Sequence, residues 1–171
     1  MTEKSNEVLV LGVDPGTAVT GYGIVARGEG GAVALVECGV IRTSPDHLLA
    51  NRIREIYEAI VALIERHQPF VMSVEDVFHG KNARSALKLG HARGAILLAA
   101  ALHEIAVAEY APRQIKKAVV GSGNATKDQV GFMVKQKLKL QEPPKPADAA
   151  DGVATALCHC MIGSFPGEIS L

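Results

Sequence analysis

The stretch Val8-Leu9-Val10-Leu11-Gly12-Val13-Asp14-Pro15-Gly16-Thr17 decides how this 171-residue chain folds. A short, β-branched, nearly all-apolar run bounded by Pro-Gly has the length of a strand buried on both faces, and Asp14 closes it at the turn. Two more strands are predicted downstream, Thr20 to Ala26 and Ala32 to Thr43. They are separated by Arg27-Gly28-Glu29-Gly30-Gly31, so the three form a meander. From about His47 to His67, apolar residues recur at helical spacing (Leu49, Ile53, Ile56, Ile60, Leu63, Ile64), and Pro69 ends the run. A fourth strand, Phe70 to Glu75, is followed by a long helix from Asn82 to Ile105 and a fifth strand, Ala106 to Tyr110. A short helix from Arg113 to Val119, a second helix capped by Thr126 and running to Leu138, and a proline-rich linker lead to a last helix from Ala147 to about Gly163. This order predicts one α/β domain, a mixed five-stranded sheet flanked by helices on both faces, with residues 1–7 and 164–171 as tails.

Four acids stand out in that order. Asp14 and Glu75 each end an apolar strand, and a right-handed crossover places the fourth strand parallel to the first, so the two carboxylates meet. Asp148 and Asp151 sit at i and i+3 on one face of the last helix, away from an apolar face of Ala150, Val153, Ala154, Leu157, Cys160 and Met161. A carboxylate beside a core is costly unless something pairs with it, and several convergent ones most naturally share divalent cations. Two-metal phosphodiester chemistry needs this arrangement most. Taken alone, Asp148 is equally readable as a first-turn acid complementing the helix dipole, and Asp151 as a solvated one. The expected division puts Asp14 and Glu75 at the centre and Asp148 outermost.

The chain carries 18 Lys or Arg and 18 Asp or Glu, and the zero total conceals segregation. Between His79 and Lys139 there are eleven basic residues against three acids, and the flanks carry the opposite sign. Beside a carboxylate cluster, such a middle offers a polyanion a positive track. The apolar stretch from Ala95 to Leu102 is too short for the ~20 residues of a membrane span, and the polar N-terminus lacks a secretory pattern, so a cytoplasmic protein is expected. The three cysteines, Cys38, Cys158 and Cys160, are an odd count that argues against a disulfide framework. Cys158-His159-Cys160 lacks a second ligand pair at zinc-site spacing, which leaves core thiols as the expectation.

Several segments together resemble the RuvC crossover-junction endonucleases, the bacterial Holliday junction resolvases. They are Leu11-Gly12-Val13-Asp14-Pro15-Gly16-Thr17 with Thr20-Gly21-Tyr22-Gly23, the run from Glu75 to Gly94, Arg113-Gln114-Ile115-Lys116 with Gly121-Ser122-Gly123, and Asp148-Ala149-Ala150-Asp151. The resemblance covers nearly the whole chain in order. It implies a ribonuclease-H-like fold, a homodimer with two active sites, and Mg²⁺-dependent paired nicking of four-way DNA junctions, with Mn²⁺ as a substitute ion. It also implies the branch-migration proteins RuvA and RuvB as partners. By position in the motifs, Asp14, Glu75, Asp148 and Asp151 are the implied ligands of two metal ions. Lys116 and Lys127 match lysines near the scissile phosphate, and Phe78 matches an aromatic set against distorted bases at the junction centre. Lys81, Arg84, Lys88, Arg113 and Lys117 are candidate DNA contacts, Arg93 is either another or an internal partner of a carboxylate, and the dimer contact is expected on the helix from Ser85 to Leu102. Each basic residue is also readable as solvated surface. Asp14-Pro15-Gly16-Thr17 is shared with the phosphate loops of actin-like ATPases, though no second such loop exists here. A catalytically silent junction-binding module is the other alternative.

Overall fold

The computed structural model describes residues 7–76 and 82–165. A five-stranded sheet forms its centre, from β1 (Val8–Asp14), β2 (Val19–Arg27), β3 (Val33–Arg42), β4 (Val71–Glu75) and β5 (Ala106–Tyr110), in the order β3-β2-β1-β4-β5. The meander β1-β2-β3 is antiparallel, while β4 and β5 continue from β1 in parallel, each reached by a helical crossover. α1 (Leu49–His67) precedes β4 and α2 (Ala83–Leu102) precedes β5. The chain then adds α3 (Pro112–Val120), α4 (Lys127–Lys137) and α5 (Ala147–Ile162).

Strand alternation divides the core into two layers. Leu11, Val13, Ile24, Met72 and Val74 face α1 and α2, whereas Val10, Val25 and Val71 face α3, α4 and α5. Even-numbered β1 residues and odd-numbered β2 and β4 residues therefore share the α5 face. Glycines let α5 lie directly on the strands: a Cβ at Gly12 would overlap Gly152 and Ala156, one at Gly21 would overlap the Asp148 carbonyl, and one at Gly152 would overlap the Tyr22 backbone. The buried Ser73 hydroxyl adds a hydrogen bond to the Thr155 carbonyl at 2.8 Å.

Two expectations are corrected here. α5 is buried all round from Gly152 to Cys160, so it has no amphipathic division beyond its first turn, and Met161, expected on the apolar face, is 46% exposed. The described structure also extends past the last helix into the stretch expected as a tail. Phe165 is buried, stacks on Phe70 at 6.4 Å between ring centres, and receives the Arg27 guanidinium 4.2 Å from its ring. Cys158 and Cys160 are buried in the core, and burial pushes both thiols up to about 12.

Candidate active site

Local structure explains how the acids converge. The register Val13↔Val74 brings the next residues, Asp14 and Glu75, to the ends of neighbouring strands, and alternation turns both toward α5. α5 begins beside them, so its first-turn Asp148 and the following Asp151 face the same strand ends. Carboxylate oxygens of Asp14, Asp148 and Asp151 lie within 4.8 Å of one another. Glu75 is outside that trio but hydrogen-bonds Asp14, and Asp14, Glu75 and Asp151 line one cleft of about 170 Å³. The outermost place expected for Asp148 is thus not what the geometry gives: Asp148 joins the trio, and Glu75 supports it from the side.

Electrostatics mark the cleft as short of positive charge. Burial first, then the charges of Glu75 and Asp151, push the Asp14 carboxyl up to about 8. Glu75 is also raised, chiefly by burial, so the pair as a whole resists giving up its last proton. Two lysines answer in part. The Lys127 ammonium donates to Asp151 Oδ2 at 2.8 Å, and this contact holds its own pKa above the usual value. Lys116 lines the cleft and favours the charged form of Glu75 from α3.

The surrounding backbone fixes these groups. Thr126 caps α4 by accepting from the Gln129 amide at 3.2 Å, and Gln129 returns a bond to the Thr126 amide at 2.9 Å, so Lys127 starts the helix at a set angle. Arg93 of α2 pairs with Glu109 of β5 and lies 3.5 Å from Asp76, tying down the chain just past Glu75. That is the internal role. The turn after Asp14 closes on itself: the Gly16 amide donates to the Thr20 hydroxyl at 3.2 Å, and Arg52 donates to the Thr17 carbonyl at 2.9 Å. The Gly16 amide is thereby engaged inside the turn and not free for a phosphate.

A hard divalent cation suits this donor set. The oxygens are all carboxylate, their spread is close to the roughly 3 to 4 Å separating oxygens around one octahedral cation, and a bound cation would offset both the burial and the neighbouring negative charge that raise the Asp14 pKa. The other candidates do not share the cleft. Arg113 is exposed and donates to Asn124 Oδ1 at 2.9 Å, Lys117 is exposed one position round α3 from Lys116, and Arg84 and Lys88 are exposed on the first turns of α2. Phe78 and Lys81 lie outside the described residues. Sequence reasoning missed Pro112, Ile115, Val130 and Ala154, which form the apolar walls, and Phe132, which stands exposed beside the cleft. For Phe132 the available signal was a large aromatic off the Val130-Val134-Leu138 stripe.

The chain is similar to known proteins in sequence and in fold. The family described as crossover junction endodeoxyribonuclease RuvC matches residues 10–159. A curated RuvC from Desulforamulus reducens is 48% identical over 95% of this chain and 99% of its own length, and one from Pelotomaculum thermopropionicum is 51% identical over 89% and 92%. Among solved structures, Thermus thermophilus RuvC in complex with Holliday junction substrate superposes with a TM-score of 0.85 at 35% identity, covering 90% of this chain and 93% of that one. The yeast mitochondrial Holliday junction resolvase Ydc2, 14% identical with a TM-score of 0.66, shares the fold. With the acidic cluster seated where β1, β4 and α5 converge, this chain belongs to the RuvC family of crossover junction endodeoxyribonucleases.

Proposed function

We propose that this protein resolves four-way DNA junctions by paired, symmetric, metal-dependent nicks in strands of like polarity, leaving ligatable ends. The carrying observation is the cluster of Asp14, Asp148 and Asp151, with Glu75 hydrogen-bonded to Asp14, left short of positive charge in a cleft flanked by two lysines. Asp14, Glu75, Asp148 and Asp151 would hold the divalent ions, two Mg²⁺ or Mn²⁺ per site. When bound, such ions supply Lewis-acid stabilisation of the phosphoryl transition state and a water acidic enough to attack near neutral pH.

The chain's own residues do the rest. Lys116 and Lys127, which both line the cleft, offset the charge of the incoming phosphate and then of the pentavalent transition state. Ile115, Val130 and Ala154 keep bulk water from the site, which strengthens each of those interactions. Among the described residues no serine, cysteine or threonine lines the cleft, so direct attack by water fits better than a covalent route. DNA affinity would rest on the basic surface, with Lys81, Arg84, Lys88, Arg113 and Lys117 contacting backbone and Phe78 stacking near the branch point.

Two cuts need two sites. α2 leaves Leu87, Leu98 and Leu102 more than half exposed along its length, and at its N-terminal half a groove of about 560 Å³ is lined by Ala83, Ala86, Leu87, Gly90 and His91, a surface suited to a second copy of the chain. Family membership supports work beside RuvA and RuvB, on chromosomal DNA in the cytoplasm. Among the described residues no helix is long and apolar enough to cross a membrane. A labelled four-way junction incubated with Mg²⁺ or EDTA tests the reading. Symmetric nicked duplexes form only with Mg²⁺ and vanish for Glu75→Gln, whose junction binding persists. Cleavage by Glu75→Gln at the wild-type rate refutes the metal-site assignment, and binding without any nicking by the wild-type protein makes it a junction-binding module.

A further inference from the structure

A second hollow opens directly beside the catalytic cleft. It has a volume of about 340 Å³, and Lys127 and Asp151 line both, so the two meet at that ion pair. One wall is α4, where Gly131 and Phe132 follow Lys127 by one turn; the other is the α4–α5 connection at Pro143, Pro144 and Lys145. Gly131 is buried against this connection, and a Cβ there would meet Pro143 at 3.7 Å. Phe132 is not needed by the core, since α4 packs inward through Val130 and Val134, and it stands 54% exposed.

We propose that Phe132 is a substrate-positioning residue: it stacks on the nucleobase next to the scissile phosphate, in the groove between α4 and Pro143-Pro144. The inference rests on the resolvase reading above. Continuity with the cleft names the occupant, because a strand whose phosphate lies over Asp14 and Asp151 carries its neighbouring nucleotide to the Lys127–Asp151 rim. Charge decides which part of that nucleotide enters. Asp128 lines the groove, and Lys145 is paired with Glu142 at 2.7 Å, so the lining is not the uniformly cationic track that backbone phosphate prefers. An aromatic ring in a groove that prolines also line instead suits the π-face of a base, and stacking of this kind tolerates any sequence. The phosphate stays with Lys127 while Phe132 sets the register of the cut.

The test is single-turnover cleavage of four-way junctions at saturating protein, with an abasic position scanned through the nucleotides flanking the cut. Phe132→Ala slows the intact junction by about tenfold, within the range that loss of one stacked base produces. Phe132→Trp restores the rate and Phe132→Leu does not. One abasic position slows the wild-type protein to the same degree and costs Phe132→Ala nothing further. The thermal midpoint stays within error, as an exposed ring requires. Equal rates for Phe132→Ala and wild type on the intact junction overturn the proposal, as do losses that multiply at every abasic position. A wild-type protein that cuts no junction at all overturns the resolvase reading and this inference with it.

Discussion

Two carboxylates on this sheet sit in opposite company. Glu37, on β3 at one edge, receives the Tyr22 hydroxyl at 3.0 Å, the Arg66 guanidinium at 2.6 Å and His67 Nε2 at 2.7 Å. Burial opposes its ionised form, but these partners outweigh burial and hold its carboxyl below the usual range. Asp14, at the end of the central strand, has as neighbours Glu75 and Asp151, with Lys127 only a lesser counterweight, and it is pushed the other way. Both acids lie near a helix and both are partly buried. The fold can therefore neutralise an acid where it needs a fixed joint, as between β3 and α1, and it withholds that neutralisation at Asp14. A site kept short of positive charge suits a cation delivered from solution, and a joint already satisfied does not.

The largest separation between the two should appear in turnover. Asp14→Asn is expected to lower the single-turnover cleavage rate by about a thousandfold or more, with junction affinity nearly unchanged. Glu37→Gln should leave the rate where it was. A Glu37→Gln protein as slow as Asp14→Asn, at equal folded fraction, would dissolve the contrast.

Next in size is the cost of moving the helix that completes the acidic site. Gly21→Ala forces a methyl against the Asp148 carbonyl and Gly152→Ala forces one against the Tyr22 backbone, where neither neighbour can swing aside. Each should lose about 3 kcal/mol or more in urea unfolding, at or beyond the upper end for overpacked cores. On the Glu37 side, Gly39→Ala meets only the Tyr22 ring, 2.8 Å from its hydroxyl, which can rotate away; about 1 kcal/mol is expected. Equal losses at Gly152 and Gly39 would mean that α5 is not the rigid member.

These glycines also show where the sequence stopped being legible. The strands and helices were readable because apolar spacing and Pro-Gly punctuation are local signals, and the pairing of Asp14 with Glu75 followed from the handedness of a crossover. The depth of α5 was not readable. Ala-rich residues can line either an exposed helix or one pressed on a sheet, and only the facing glycines of β1 and β2 decide for the second. Reading Met161 as buried came from treating α5 as amphipathic, and placing Asp148 outermost came from reading it as a first-turn acid that complements the helix dipole. Arg93 shows the same limit: its spacing allowed either DNA or a carboxylate, and the approach of β5 to α2 settles it as a partner of Glu109 and Asp76.

Cation binding sharpens the contrast at intermediate size. Mg²⁺ or Ca²⁺ at 100 times its dissociation constant should stabilise the folded protein by about 2.7 kcal/mol, and EDTA should reverse the gain in a thermal scan. Asp14→Asn and Asp151→Asn should lose this response, while Glu37→Gln retains it. Because Asp14 carries a proton near neutral pH without metal, binding releases it, and the apparent affinity should fall as pH drops below about 8. A cation response unchanged in Asp14→Asn would move the ion elsewhere.

The smallest effect belongs to the satisfied carboxylate. Glu37 has a lower pKa in the folded chain than in the unfolded one, so between those two values the unfolded state binds more protons and stability rises with pH. Its contribution is complete above the ordinary glutamate range and is lost as pH falls through the lowered folded value. Arg66 is more than half exposed, so solvent screening keeps the worth of this joint to about 1 kcal/mol or less. Glu37→Gln should therefore cost that amount at pH 7 and progressively less as pH falls through the lowered folded value, flattening the acid limb of the stability curve. The measurement is urea unfolding at several pH values and low salt. An acid limb as steep in Glu37→Gln as in the wild type would assign the acid sensitivity to other carboxylates, and the joint between β3 and α1 would then owe its stability to packing alone.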